Sequence, residues 1–480
     1  MDFFTIPAML LFWRKFLFYI LLAAYLILTP YAILYALGYS VHPRQGELFN
    51  KTGLLSIESE PKGAHVYVEG RKFSQKTPSA VRDLLPGGYQ VEVFKKGFNR
   101  WSKKISIYSE KATRLEPVVL LPVHAEEEKV SDRPYQFLLP LMIDFRIFGL
   151  STEDLKSLKG TDIFLKRTFD IGEKTGLEGK YEVKKFETKG NSSLVLFDVL
   201  KDGKRNWELL QLSHEKEAVN LGSLMPMDVD LFDWDVKSPE FIYFLKDGVL
   251  NAVDWQKPKL YAALMPDVLG FGVKGGRLYV LKKDWSLWVS SAKPENLKWE
   301  MAEDLGMNKP DNSNRIKWIK IEVFKQEFFQ KDLMLFLSDS GMLLSSRAPS
   351  VLAESGVRGF QYIAHADDEK ILFWTGQKIS AVIFSKEAEE SEKNPAVITV
   401  LNEKGKDVQQ AFWAYETSHV VFRDGDGLFL AEARPPEPYY VRPLMTVIHD
   451  TPIFYHDLTH YIYYLQPQTR HLMRRKVTDS

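Results

Sequence analysis

Five stretches of this chain repeat one pattern. FDWDVKSPEFIYFLKDGVLNAVD from Phe232, LGFGVKGGRLYVLKKDWSLWVSS from Leu269, VFKQEFFQKDLMLFLSDSGMLLSS from Val323, FQYIAHADDEKILFWTGQKISAVIF from Phe360 and AFWAYETSHVVFRDGDGLFLAEA from Ala411 share it. Each reads as a short strand, a polar turn, an apolar strand, a Gly-bearing hairpin and another strand. The central strands begin near Ile242, Leu278, Leu333, Ile371 and Val420, giving offsets of 36, 55, 38 and 49 residues. Sheets of about four strands at a period of roughly 40 to 50 residues are what a β-propeller blade requires. LVLFDVLKDGKRNWELLQLS from Leu194 and IFYHDLTHYIYYLQPQTRHLMRR from Ile453 extend the series, and further apolar runs occupy residues 135 to 166. The count is seven blades. Eight stays open, because residues 135 to 180 are the least regular and the first and last strands can share one blade to close the ring. Aromatic residues at 13%, rich in Phe and Tyr, also favour strands, so the fold class is all-β.

Ahead of the repeats the chain has a different solvent in view. From Phe16 to Tyr39 it reads FLFYILLAAYLILTPYAILYALGY without a charge. As a helix this run is about 36 Å long, enough to cross a hydrocarbon core of ~30 Å with tilt. Pro30 is tolerated in such a helix, and the tyrosines near its ends suit the interface. A cleaved signal peptide has a shorter apolar region, ~7 to 15 residues, closed by a small-x-small site, so residues 16–39 are expected to be an uncleaved transmembrane anchor. Arg14 and Lys15 abut its start, with no comparable cluster at its end. The positive-inside rule then leaves the N-terminus in the cytoplasm and the bulk outside. Residues 1–15 form a short cytoplasmic or interfacial segment, with Trp13 at headgroup depth.

Residues 53–121 read as a small antiparallel β-domain. In SEPKGAHVYVEG, Pro61 and Gly63 make a turn, and Ala64, Val66 and Val68 then alternate with polar neighbours as in a half-buried strand. Alternation returns at Tyr89, Val91 and Val93 and at Ile105 and Ile107, with turns at Pro86-Gly87-Gly88 and Lys96-Gly97. This segment resembles the PEGA domain, a small β-sandwich-like module of bacterial and archaeal envelope proteins. The resemblance rests on Pro61, Gly63, Ala64, Val66, Val68, Gly70, Thr77, Pro78, Leu85, Pro86, Gly87, Tyr89, Val91, Val93, Gly97 and Phe98. Lys62 stands where the motif has Glu, at a solvated turn position. The resemblance implies an envelope location and a structural or binding role, with no catalytic residue. Residues 122–134, charged and unpatterned, read as a linker, and 135–476 as the propeller. The propeller is similar to TolB-like and WD40-like ones only in the shape of its blade.

Composition removes several chemistries. Basic and acidic residues number 63 each, without a basic run interleaved with aromatics, so a nucleic-acid partner is not expected. The absence of cysteine excludes disulfides, thiolate nucleophiles and Cys-ligated metals. His456-Asp457-Leu458-Thr459-His460 approximates HExxH, but FYHDLTHYIYY aligns with FWAYETSHVVF of the preceding repeat, so His460 falls with His419 at a strand-to-strand turn and not on a helix. Asp424-Gly425-Asp426-Gly427 resembles the start of a calcium loop, yet position 435, where the distal Glu belongs, is Pro. No G-x-S-x-G and no phosphate-binding Gly-rich loop occur. Catalytic, cofactor and metal residues are therefore not assigned.

Two tryptophans are the candidate ligand contacts: Trp285, at the tip of the hairpin KKDWSLW, and Trp255, in a connection before Pro258. The expected function is that of a membrane-anchored binding or scaffolding protein whose partner is envelope polysaccharide or protein. The alternatives are a polysaccharide hydrolase or lyase using the propeller's central pocket, and an envelope-protein assembly factor. Carboxylates clustered at the central opening would favour the enzyme. An apolar or aromatic rim would favour binding.

Overall fold

The computed structural model describes residues 5–36, 39–41, 49–190, 192–212, 217–302, 315–324, 332–364, 368–385, 396–434 and 437–478. The polar turns expected within 325–331 and 365–367, residues 1–4 of the expected interfacial segment and residues 37 and 38 of the expected anchor lie outside that set. The chain divides into two compact units, Met1–Ala125 with Pro435–Pro438 and Val477–Ser480, and Glu126–Arg434 with Tyr439–Lys476.

In the first unit, Thr5–Ala36 is one α-helix, so the segment expected at the interface continues into the apolar run. Its window Trp13–Leu34 has a mean hydropathy of 2.1 and is unburied, long and apolar enough to cross a membrane. The helix stops at Ala36, short of the expected Tyr39, which opens a short strand paired with Phe49–Lys51.

The PEGA-like segment is a sandwich of four strands on three. One sheet orders Arg71–Lys76, His65–Val68, Gly87–Phe94 and Trp101–Ile107; the other orders Ser79–Leu84, Gly53–Glu60 and Ala112–Val119. The pairing of Gly53–Glu60 with Ala112–Val119 is parallel, which corrects the all-antiparallel expectation. Local alternation reveals a strand but not the direction of its neighbour. The alternating residues do fill the core: Ala64, Val66, Val68, Val91, Val93, Ile105 and Ile107 are buried around Trp101. Thr77 pins the opening turn, its hydroxyl accepting from the Ala64 N–H at 2.9 Å and its carbonyl from the Gly63 N–H at 2.9 Å. Lys62 is exposed at that turn, as a solvated position requires.

The second unit contains, among the described residues, eight four-stranded antiparallel blades, which corrects the count of seven. Their first strands are Phe137–Ile143, Glu182–Thr188, Leu231–Trp234, Val268–Lys274, Ile319–Phe324, Val357–Ala364, Val408–Ala414 and Phe454–His456, here blades 1 to 8. The irregular stretch after 135 makes a complete blade of its own. Blade 8 takes its fourth strand from Glu127–Pro134, paired antiparallel with His471–Lys476, so the first and last strands of the unit do close the ring. That strand lies in the segment read as linker. An outer strand is wet along its free edge, so only Val130 and Ser131 need be buried and its charged sequence hides the strand.

First strands of adjacent blades lie side by side around the middle of the ring. Between blades 4 and 5 they approach closely enough to pair in parallel, Gly270 with Ile319 and Phe271 with Lys320. A Cβ on Gly270 or Gly272 would stand 2.1 or 1.9 Å from the Ile319 or Ile321 carbonyl oxygen, so only glycine permits this approach. The apolar cores sit between neighbouring blades, as with Leu231, Tyr243, Leu250, Phe271 and Val280 between blades 3 and 4.

Candidate functional site

Side chains alternate across a strand, so a first strand turns alternate residues to different sides: in blade 5 Ile319, Ile321 and Val323 enter the core shared with blade 4 and leave Lys320 and Glu322 on the other face. In blade 5, Lys320 and Glu322 are two apart, and their charged ends meet at 3.0 Å while keeping 28% and 20% of their side-chain surface exposed. Lys189, which follows the first strand of blade 2, is nearly buried. Its Nζ lies 2.6 Å from an Asp233 carboxylate oxygen and donates to the carbonyls of Trp234 (2.9 Å) and Val273 (2.8 Å). The second Asp233 oxygen accepts the Val273 N–H at 2.7 Å. One lysine and one aspartate thus tie blades 2, 3 and 4 together.

These groups sense each other across the wall. Burial opposes the Lys320 ammonium, but the carboxylates of Glu322 and Asp233 outweigh it and hold its pKa above the ordinary lysine range. Burial favours neutral Glu322, yet Lys320 and Lys189 hold that carboxyl below the usual range. At Asp233 burial prevails over Lys189, and the carboxyl is raised. Elsewhere neutral amides repeat the clamp between first strands: Gln361 accepts the Trp413 N–H at 2.7 Å, and Gln410 accepts the Ile453 N–H at 2.9 Å.

The wall is neither the carboxylate cluster of an acid–base pair nor an aromatic rim. Lysines and carboxylates of blades 2, 3 and 5 form two pairs, Lys189 with Asp233 and Lys320 with Glu322, each charge held by one of opposite sign. Such a surface can recognise a charged group by exchanging partners. A general base needs a carboxylate free of such pairing. Sequence reading did not single out Lys189, Asp233, Lys320 or Glu322; the charges at alternate positions of IKIEVF, an otherwise apolar strand, are the signal it held.

The structure separates the residues that looked catalytic. His456 Nδ1 pairs with Thr459 Oγ1 at 2.9 Å, while His460 Nδ1 pairs with the Tyr455 hydroxyl at 2.8 Å and its ring stacks on Tyr415. Both flank the turn between Phe454–His456 and Tyr461–Leu465, as the alignment of repeats expects. Ser418 Oγ is 2.9 Å from His419 Nδ1, a nucleophile–base distance, but the hydroxyl donates to the Tyr415 carbonyl at 2.7 Å and both residues are buried. Asp424 accepts the backbone N–H groups of Lys406 and Asp407 across a hairpin. Among the described residues no group of three His, Asp or Glu could hold a metal.

Trp255 is 7% exposed, packed with Trp234, Ile242 and Val253, and its indole N–H donates to the Pro239 carbonyl. The exposure on which its reading as a contact rested is therefore lacking, because the connection folds back onto the blade core. Trp285 is half-buried against the cluster of Leu281, Leu287 and Ile321, at the hairpin tip where it was expected, with φ +68°. The two tryptophans are not brought together.

Among solved structures, the chain is similar to the computationally designed Ika8 protein, with 11% identity over 73% of this chain and 99% of that one and a TM-score of 0.41. It is also similar to the β-propeller domain of Cps50 (Swd1) from Myceliophteria thermophila, at 8% identity over 62% and 100% with a TM-score of 0.34. A third is Hsv2p of Kluyveromyces lactis, at 8% identity over 66% and 99% with a TM-score of 0.39. No curated protein matches the chain. Residues 52–119 match the family model of the PEGA domain, so the four-on-three sandwich that begins at Gly53 is a PEGA domain.

Proposed function

We propose that this chain is a single-pass protein of the cytoplasmic membrane, its N-terminus inside, that displays a PEGA domain and an eight-bladed propeller outside as a binding scaffold of the cell envelope. The observation that carries the reading is the joint presence, in one chain, of the 22-residue span Trp13–Leu34 with Arg14 and Lys15 at its start, the PEGA domain and the propeller. The boundaries that suit it are 16–36 for the anchor, 53–121 for the PEGA domain and 126–476 for the propeller. The charge-paired wall of blades 2 to 5 supports binding over turnover, since its carboxylates are engaged by lysines. The partner class is envelope polysaccharide or protein, and Trp285 is retained as a contact residue.

Because the chain has no cysteine, single cysteines at Ser109 and Lys204 report topology without background. Both are expected to react with a membrane-impermeant thiol reagent in intact cells, or in spheroplasts where an outer membrane is present; reaction only after lysis would reverse the orientation. Incubating the purified protein with isolated envelope material separates binding from catalysis. Retention without newly released reducing ends or peptides is the expected result. Release abolished by changing one carboxylate would establish an enzyme instead.

A further inference from the structure

Three hairpin connections of blades 8 and 1 bring apolar side chains to one edge of the ring. Phe145, Phe164, Leu165 and Leu458 are 49%, 52%, 65% and 89% exposed. The rings of Phe145 and Phe164 meet edge-on at 5.0 Å, and His456 lies 5.8 and 6.3 Å from them. Asp162 builds the middle tip: its carboxylate accepts the backbone N–H groups of Phe164 and Leu165 at 2.9 and 2.8 Å, which holds both residues in the turn.

The first tip carries a second observation. Asp144-Phe145 is a two-residue hairpin turn with φ +46° and +60°. The same turn recurs as Glu69-Gly70, Asp202-Gly203, Asp247-Gly248 and Gly275-Gly276, always with glycine second. A bulky residue in that left-handed position is strained. Here the strained residue is a phenylalanine left half in water, and such outliers cluster where a protein meets a ligand. Exposed hydrophobic patches of this kind mark protein or membrane contacts.

The chain itself indicates which. The polypeptide passes from the apolar helix through the PEGA domain and enters the propeller at Glu127. Glu127 pairs with Arg475, while Tyr461 pairs with Lys476 and with His456, so the entry point and the patch lie at the same end of blade 8. The patch is made of hairpin tips, which suit a deformable surface better than a groove would. A tether to the bilayer makes contact intramolecular, so even a weak apolar wedge is populated. Phe and Leu side chains at interfacial depth are what such a wedge needs.

Resting on the anchored reading above, we infer that Phe145, Phe164, Leu165 and Leu458 form a lipid-contacting wedge that seats this edge of the propeller on the membrane to which the chain is tethered. The test uses the full chain reconstituted in phosphatidylcholine–phosphatidylglycerol vesicles, with an environment-sensitive fluorophore on a single cysteine at Phe164 or, independently, at Leu458. A cysteine at Glu153, exposed in the connection at the opposite end of blade 1, is the control. Bromine-labelled lipid should quench the probes at 164 and 458 at least twofold more than the probe at 153. Phe145→Gly should reduce quenching at 458 while shifting the melting temperature little. Equal, weak quenching at all three positions would overturn the wedge, and crosslinking of the same positions to a second protein would assign the patch to a protein partner instead. An alkaline carbonate wash separates the two levels: chain that stays on the vesicles with unquenched probes defeats only the wedge, whereas chain that washes off defeats the anchor and the wedge together.

Discussion

At the scale of single residues, the heaviest electrostatic commitment is Lys189 with Asp233, whose side chains are 8% and 1% exposed. Replacing one member of a buried pair leaves the other uncompensated, which typically costs about 3–5 kcal/mol, whereas replacing both by apolar groups is often nearly neutral. Lys189→Met is therefore expected to lower the denaturation midpoint of the propeller strongly, and Lys189→Met with Asp233→Leu to recover much of the loss. A double mutant no more stable than the single would show that the carbonyls of Trp234 and Val273, which the lysine also serves, matter more than the charge pair. At Phe145 two effects oppose each other: a left-handed backbone costs about 1–2 kcal/mol for a residue with a side chain, and a half-buried ring returns a similar amount. Phe145→Gly should then stay within about 1 kcal/mol of the parent by thermal melting. Phe271→Ala, in the core between blades 3 and 4, should lose about 3–5 kcal/mol. Neither Lys189 nor Phe145 is legible in the sequence, since the partners of the first come from other blades and the exposure of the second depends on which hairpin end it occupies.

At the scale of elements, strands buried on both faces were legible and strands with a wet edge were not. FIYFLK and HVVFRD announce themselves by apolar runs before Gly-bearing turns, and both are second strands of their blades. Glu127–Pro134 does not, because the outermost strand needs little apolar surface and is held by charge. Glu128 pairs with Lys166 and Arg474, whose hydrogen bonds hold its carboxyl below the ordinary range. At 44% exposure the pair is partly screened, and Glu128→Lys should cost only about 0.5–1 kcal/mol. Losing the whole strand is another matter, because the ring then ends on an unpaired edge at His471–Lys476. A fragment from 126 to 478 should melt in one cooperative transition, and one starting at 135 should melt earlier and more broadly. Equal cooperativity in the two would mean that the closing strand is dispensable.

At the scale of the whole molecule, the apolar helix and the PEGA domain were readable because each is written in one continuous segment, while the wall of the ring is assembled from residues up to more than 100 positions apart and no spacing rule reaches it. The wall makes the propeller's stability depend on pH in a direction that follows from its charges. Glu322 has a folded pKa below its unfolded value of about 4.3, so its contribution is complete above that value and is lost as pH falls through the folded pKa. Lys320 has a folded pKa above its unfolded value of about 10.4, so its contribution is complete below that value and is lost as pH rises beyond it. Between these limits the pair gives a plateau. Glu322→Gln removes the carboxylate that Lys320 touches and leaves the ammonium with Asp233, which itself gains little from ionising in so dry a place. The variant should melt lower than the parent at pH 7, by about 1–3 kcal/mol, and the difference should shrink as pH is taken below about 4, where the parent loses the same interaction. A gap that stays constant down to acid pH would mean that Glu322 acts through packing, and the charge-paired wall would then have no part in holding the ring.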